Sequence, residues 1–413
     1  AFNARNLSVA LGSPTTCAAT FGCVPFNIFG GQGTGAGAIT RAMLDYVTYI
    51  QKGESEQELT DVSANISGHV FNLPAGPVGL ALGLEQRKEN GRFTPDSVVS
   101  RGESADVPAS PTEGGFKVKE FYGEVVVPLL SGKSFAKKLD FSGAARVSDY
   151  GLFPSSTVYK AGLTWMPADG FVMRASWSEG FRAPNIGELF STGSRFDAAI
   201  ADPCDRATGA VAANCARLGV PPGFIAVSTQ VGLTTGGNSS LQPEDADTRT
   251  AGFTYVASGL AEKTGLASAV VEFNYYDIAL TKAIQAPDAS AILSSCVSTL
   301  NPFYCNSITR ARTGDILRID SRLQNIAGID TSGIDWSIQL ATNPGKLGQF
   351  RFKWMNNHLL QYTEKTPGPS GTTIVTDRDG QEIGVAGHGF PKYKSTLIAQ
   401  WLKNDWEVAL TTR

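Results

Sequence analysis

Apolar and polar side chains alternate strictly over many segments of this chain. Between residues 139 and 147 the apolar side chains stand at odd positions, whereas Asp140, Ser142 and Arg146 stand at even positions. The same period of two, which is typical of half-buried β-strands, recurs in the segments 78–85, 171–178, 334–340 and 350–354. The pattern predicts about a dozen antiparallel strands of about ten residues, the length that crosses a bilayer at a tilt.

The connections between these strands alternate in length. Short links at 73–77, 167–170, 343–348 and 403–405 take turns with long ones at 12–61, 91–116, 181–246, 281–315 and 361–391. Successive turns of an antiparallel meander lie at opposite ends, and outer-membrane barrels have short periplasmic turns and long extracellular loops. We therefore treat residues 1–413 as a single barrel domain with long extracellular loops at 12–61 and 181–246. The link 150–155 is short although it falls at the long-loop end.

One segment of the first long loop has a helical period instead. Within residues 40–59, Thr40 is a candidate N-cap, and Met43, Leu44, Val47 and Ile50 follow at helical spacing. We predict a short amphipathic helix that packs on the rim of the barrel; a helix on the membrane surface is the alternative.

Composition narrows the class of protein. No stretch reaches the roughly 18 consecutive apolar residues of a membrane helix, which excludes a helical membrane protein. The net charge is -3 and the basic residues are scattered, so nucleic acid is not an expected partner. All six tryptophans fall in predicted strands or at their ends, as in the aromatic girdles of a barrel, although a soluble β-sandwich would place them in its core. The opposite face carries Arg146, Lys160 and Arg174, which suits a wet lumen.

The six cysteines form three local pairs inside the long loops: Cys17 with Cys23, Cys204 with Cys215, and Cys296 with Cys305. Six cysteines allow 15 pairings, but close pairs within loops favour disulfides between neighbours, which persist in an oxidising compartment. Free thiols are the alternative. With three histidines and no Cys-x-x-Cys motif, the sequence offers no metal site.

A sharp corner ends the strand that begins at Phe171, because Pro184 cannot donate to a ladder and restricts the residue before it. The corner, SEGFRAPNIGELF, contains Phe181, Arg182, Ala183, Pro184, Asn185 and Glu188. The alternation resumes in NSSLQPEDADTRTAGF, which contains Asn238, Leu241, Pro243 and Glu244. Together the two segments resemble the paired signature of TonB-dependent outer-membrane receptors. The segments 275–284 and 325–338 resemble the strands that follow in that family, so the resemblance covers nearly the whole chain.

The resemblance implies an all-β, antiparallel transmembrane β-barrel of 22 strands, of which this chain holds about 12–14. In the family an N-terminal plug domain engages TonB and further strands close the barrel; neither is found here, so we expect a fragment of a longer product. The implied function is import of a scarce nutrient, such as a ferric siderophore, a similar chelate or a carbohydrate, across the outer membrane of a Gram-negative bacterium. The implied partners are outer-membrane lipid, the TonB complex and the nutrient.

No catalytic residue and no cofactor is assigned, and the carboxylates of Glu244, Asp245 and Asp247 are expected in a solvated turn. The motif residues are expected to fix the root of a loop. Arg146, Lys160 and Arg174 either attract an anionic ligand or form the polar wall that faces the plug. A plugless porin or export barrel would show the same alternation, and a secreted β-sandwich adhesin is a further alternative.

Overall fold

The computed structural model describes residues 1–26, 39–106, 108–257, 264–367, 372–383 and 388–413. In this part of the chain the strands are β1 (Glu54–Leu73), β2 (Gly76–Thr94), β3 (Thr112–Lys133), β4 (Ala136–Asp149), β5 (Ser156–Ala168), β6 (Phe171–Arg182), β7 (Ser194–Ala199), β8 (Gln230–Thr235), β9 (Glu244–Val256), β10 (Leu266–Gln285), β11 (Ile308–Arg310), β12 (Ile316–Asp320), β13 (Gln324–Thr342), β14 (Gln349–Pro367), β15 (Thr373–Asp377), β16 (Glu382–Ile383), β17 (His388–Gly389), β18 (Tyr393–Lys403) and β19 (Trp406–Thr412). The helices are Ala4–Leu11, Pro14–Ala19, Arg41–Val47, Ser97–Ser100, Ile186–Phe190, Gly209–Arg217, Ala289–Thr299 and Pro302–Cys305. Within the same residues, no helix has both the length and the apolarity to cross a membrane.

Twelve strands form one antiparallel meander in the order β1-β2-β3-β4-β5-β6-β9-β10-β13-β14-β18-β19, and β15 adds to β14 beside this path. Each of these strands pairs with the next barrel strand along the chain. The predicted fold class, an antiparallel sheet of barrel type with about a dozen strands, is therefore confirmed.

The period of two gives the sheet an apolar face and a polar face. Opposite residues of paired strands share a face, so Phe141 lies beside Leu163 on the apolar one. This face is exposed along the meander, since Phe141, Leu163 and Trp354 are all accessible. On the polar face Asn274 lies opposite Asp335. The buried apolar clusters lie elsewhere, at the end of the sheet that carries the long loops.

The first long loop is shorter than predicted. Residues 54–61 belong to β1, where Glu54 pairs with Thr94 of β2, so the loop ends at residue 53 instead of 61. The short helix predicted within residues 40–59 spans Arg41–Val47, so Ile50 lies outside it. Thr40 does cap it, because its hydroxyl accepts a hydrogen bond from the Met43 amide at 3.3 Å. Thr48 ends the helix with an extended backbone, and the chain then leads into β1 at Glu54.

Two long loops build a second sheet. The loop between β6 and β9 (183–243) contains β7 and β8, and the loop between β10 and β13 (286–323) contains β11 and β12. These strands form one sheet in the order β11-β12-β8-β7, in which β12 and β8 run parallel. We call residues 183–243 and 286–323 together the loop cap. Its buried core includes Val231, Leu293 and Ile319.

Disulfides join the neighbouring cysteines of each local pair: Cys17–Cys23, Cys204–Cys215 and Cys296–Cys305. The last two lie in the loop cap, where Cys204, Cys215 and Cys296 are buried among apolar side chains. The first lies in the loop that precedes β1.

Candidate functional site

The corner after β6 begins with a capped helix. Pro184 is buried, and the helix Ile186–Phe190 starts directly after Asn185. The side chain of Asn185 accepts a hydrogen bond from the Glu188 amide at 2.8 Å, and the Glu188 carboxylate accepts one from the Asn185 amide at 2.8 Å. This reciprocal capping box satisfies two helix-terminal amides and fixes the direction in which the chain leaves the sheet.

Arg182 joins the two segments of the motif. Its Nε and Nη2 donate to Glu244 at 2.5 and 2.8 Å, and its Nη1 and Nη2 donate to Glu188 at 2.8 and 3.1 Å. The planar guanidinium has the donor geometry for such bidentate pairing. Glu244 is buried, whereas Arg182 keeps 46% of its side chain exposed. The departing and returning strands of the 183–243 loop are thus held by one ionic cluster.

The re-entry segment is tied to the corner through its backbone. The Asn238 amide donates to the Glu188 carbonyl at 2.8 Å. The Asn238 side chain donates to the carbonyl of Leu323, at the end of the second cap loop, at 2.9 Å. Leu241 and Pro243 are buried. The motif residues predicted from the sequence therefore lie together in space, and we call them the loop root.

A third strand end meets the loop root at β10. Glu244 also accepts a hydrogen bond from the Ile284 amide at 2.7 Å. Two residues earlier Lys282 has a left-handed backbone with φ of 55° at a register shift, and its Nζ pairs with Asp245 at 2.7 Å. Neither Ile284 nor Lys282 was singled out from the sequence, because a bulge between paired strands leaves no mark on the alternation. Asp245 is thus part of the root and not of a free turn.

Phe181 anchors the corner in an aromatic cluster. With Ala183 it packs against Val118, Tyr150 and Phe153, and the rings of Tyr150 and Phe181 lie 6.0 Å apart. Tyr150 belongs to the short link 150–155, which therefore serves to support the neighbouring long loop. Burial raises the pKa of the Tyr150 hydroxyl, against the opposing effect of the nearby Arg87 charge.

The three lumen cations do not form one site. Arg146 pairs with Glu120 at 3.2 Å and lies over the Tyr122 ring at 5.1 Å, so its charge is partly compensated. Arg146 and Lys160 line the same open cavity of about 150 Å³. Arg174 lies lower on the neighbouring strand, opposite Thr164 of β5, and is outside this cavity.

A larger cavity of about 390 Å³ opens at the long-loop end between the second cap loop and the tops of β13 and β14. We call it the loop cavity. It is lined by the aromatic rings of Phe303 and Tyr304, by Asp288 and by the paired side chains of Glu364 and Arg378, which lie 3.0 Å apart. Sequence reasoning missed this site because its walls come from segments as far apart as Gln285 and Arg378.

The two halves of the loop cap are joined by a buried ion pair. Arg310 donates to Asp202 at 2.6 and 2.9 Å, and both side chains are at most 10% exposed. No period or motif marks this pair in the sequence, since its partners are separated by 108 residues. In the described residues, no group of three or more His, Cys, Asp or Glu side chains is placed to hold a metal ion.

Comparison with known proteins identifies one family. The family model described as TonB dependent receptor-like, beta-barrel, matches residues 18–413. No curated protein matches the chain. Among solved structures, the chain is similar to the siderophore receptor PirA from Acinetobacter baumannii, with 13% identity and a TM-score of 0.47 over 92% of this chain and 53% of that chain.

Two further structures have similar values. A mutant of the ferric enterobactin receptor PfeA from Pseudomonas aeruginosa, in complex with enterobactin, has 11% identity and a TM-score of 0.47 over 84% of this chain and 47% of its own. A double mutant of the Serratia marcescens hemophore receptor HasR, in complex with its hemophore HasA and heme, has 10% identity and a TM-score of 0.52 over 87% and 52%. The chain thus spans about half the length of the solved structures it matches, and the likeness concerns the fold.

Proposed function

The chain belongs to the TonB-dependent receptor family, and from that premise we propose that it takes part in importing a scarce nutrient across the outer membrane. The family consists of outer-membrane receptors, and the chain is not an enzyme. The nutrient we propose is a ferric siderophore or similar chelate, with a carbohydrate as the second class. TonB is the proposed source of energy, acting through a plug domain of the full-length receptor.

The observation that carries this proposal is the exposed apolar face of the meander. A soluble β-sandwich would cover such a face with a second sheet, whereas Phe141, Leu163 and Trp354 stay accessible. Large exposed apolar surfaces mark contact with a partner or a membrane, and a continuous band across a dozen strands suits lipid. The polar face, with Asn274 and Asp335, then lines the interior.

The loop cavity supports ligand capture at the long-loop end. Its volume of about 390 Å³ is in the range of small-molecule sites. Aromatic walls from Phe303 and Tyr304 can stack on planar catechol-like or sugar rings, and the paired Arg378 can turn toward an anionic chelate. Because the loop root fixes both cap loops on the barrel, the motif residues act as positioning residues in this proposal and not as ligand contacts.

The test is uptake by the full-length gene product in a Gram-negative host that lacks its own siderophore receptors. Accumulation of radiolabelled ferric catecholate, ferric hydroxamate, heme and a maltodextrin is measured with tonB intact and with tonB deleted. We expect saturable accumulation of one compound that needs TonB. If all compounds entered the cells without TonB, the chain would belong to a passive barrel. If none of them accumulated, the proposed nutrient classes would be refuted.

A matched pair of variants tests the loop cavity within the same assay. Arg378→Gln should raise the concentration needed for half-maximal uptake by about tenfold, the effect of losing one charge-assisted contact. Arg351→Gln, on the lumen wall far from the loop cavity, is the control with the same change of charge. Equal effects of the two variants would place the ligand elsewhere.

A further inference from the structure

Three lysines stand on the apolar face just beyond its end toward the long loops. Lys88 of β2 lies directly opposite Lys117 of β3, and Lys119 follows two residues along β3. Alternate residues of a strand share a face, so Lys88 shares the face of Leu84, and Lys119 shares that of Phe121.

Burial agrees with this assignment. Lys117, Lys119 and Phe121 are all exposed, whereas the intervening Val118 and Glu120 are buried at 0% and 7% exposure. The lysines therefore project away from the polar interior, on the side that we assign to lipid.

Within the described residues, these lysines take no part in an ion pair. Like charges placed directly opposite each other in a sheet are destabilising, and the ion pairs of this region lie on the other face, between Arg87, Glu85, Glu89, Arg146 and Glu120. Two carboxylates face the lysine cluster, and one of them, Asp149, lies directly opposite Lys119. Glu58 of β1 accepts a hydrogen bond from the Asn90 side chain at 3.2 Å, and Asp149 of β4 accepts one from the Gly151 amide at 2.9 Å. In the described residues, neither carboxylate forms an ion pair with Lys88, Lys117 or Lys119.

The depth of the lysines is set by the aromatic residues below them. Tyr159 lies on the apolar face near the long-loop end of β5, and Phe121 lies on the same face opposite Val147, near the long-loop end of β4. Aromatic girdles meet the headgroups of a bilayer at such positions. Lys119 stands two residues beyond Phe121, about 7 Å further along the strand. Three ammonium groups that form no ion pair within the described residues are thus placed at the level of the headgroups.

We propose that Lys88, Lys117 and Lys119 bind the phosphate groups of an anionic glycolipid in the membrane leaflet at the long-loop end. Ammonium groups bind phosphate as compact point charges, and the adjacent apolar face receives the acyl chains of the same molecule. This inference rests on the proposed placement in the outer membrane with the long loops outside. The occupant is a lipid because the lysines adjoin an apolar face and not a closed polar pocket.

The experiment titrates purified full-length receptor, in a neutral detergent, with bis-phosphorylated lipid A and follows complex formation by native mass spectrometry. The test variant is K88Q/K117Q/K119Q. The control is K133Q/K346Q/K403Q, which removes the same charge from three exposed lysines at the short-turn end. Each basic residue near an anionic membrane surface adds to the binding free energy, so the loss of three lysines in the test variant should lower the binding constant for lipid A by about 100-fold. The control should stay within about twofold of the unmodified receptor.

Several outcomes would overturn the proposal. If the test variant binds lipid A as tightly as the unmodified receptor does, only the acyl chains are bound and the lysines do not bind phosphate. Equally tight binding of dephosphorylated lipid A by the unmodified receptor would show the same. Competition by inorganic phosphate at the same concentration as lipid A would show a site for the free ion. If the glutamine variant does not fold, K88R/K117R/K119R must retain binding, and binding to the unmodified receptor must weaken with salt. Because this titration involves no uptake, its failure leaves the nutrient proposal standing, and failure of uptake leaves the titration interpretable.

Discussion

Replacing Arg182 by glutamine should loosen the loop root without unfolding the barrel. The variant R182Q removes four hydrogen bonds, two to Glu188 and two to Glu244. It also leaves the two carboxylates close together with no cation between them. Glu244 then keeps the bond from the Ile284 amide but loses its charge partner in a buried position.

The size of the effect follows from burial. Removing one partner of a fully buried ion pair costs about 3–5 kcal/mol. Arg182 retains 46% side-chain exposure, so water screens part of this interaction and lowers the cost. We expect a loss of about 2 kcal/mol in the free energy of local opening, which corresponds to about a 30-fold higher population of the open loop root.

The assay is amide hydrogen exchange of the purified full-length receptor, followed by mass spectrometry. Peptides covering 183–191 and the Ile284 amide should exchange about 30-fold faster in R182Q, whereas the turn at 167–170 should not change. R182K retains the charge but not the forked donor geometry, so its exchange rate at 183–191 should lie between those of the unmodified receptor and R182Q. Unchanged exchange at 183–191, or equal acceleration at both ends of the sheet, would refute the assignment of Arg182 as a local clamp.

Three further predictions concern the loop cap and the loop between β2 and β3. Replacing both cysteines of the Cys204–Cys215 bridge by serine should destabilise the cap by about 3 kcal/mol, which limited proteolysis will detect as faster cleavage within 183–243. Arg310→Ala leaves the buried carboxylate of Asp202 unpaired, so the cap should lose about 3 kcal/mol and its amides should exchange faster, while Arg310→Lys loses less. The amides of Val98 and Lys52 donate to Asp96 and lower its pKa; the resulting stability is present above the ordinary carboxyl pKa and is lost as pH falls through the lowered value. Exchange at the Val98 amide, corrected for intrinsic rates, should therefore accelerate only in acid, and Asp96→Asn should remove this dependence.

The barrel sheet could be predicted from the sequence because its rules are local. Alternation assigns each side chain to a face, as for Phe141 and Asp140, and a short link fixes which strands are neighbours. The corner was also visible, since Pro184 ends a strand wherever it stands. The short helix predicted within 40–59 lies at Arg41–Val47, whereas Ile50, which shares its apolar spacing, lies beyond the helix in the segment that leads to β1.

The loop cap could not be predicted, because its contacts are not local. β8 and β12 pair in parallel with only Ile319 opposite Leu233 and Asp320 opposite Thr234, and such short pairing over more than 80 residues has no sequence signature. The partnership of Arg310 with Asp202 is equally hidden. In the loop root, the residue types were evident from the motif, but the third strand end at Ile284 required the structure.

The parallel pairing of β8 with β12 makes the two cap loops interdependent. Exchanging only 183–243 with a relative would remove β8 from beside β12 and expose Ile319. Exchanging only 286–323 would remove β12 from beside β8 and expose Leu233. A chimera designed to change ligand preference therefore has to transplant both loops together. The two loops are encoded in separate parts of the gene but form one structural unit. Recombination that exchanges this end of the barrel therefore has to replace both coding segments.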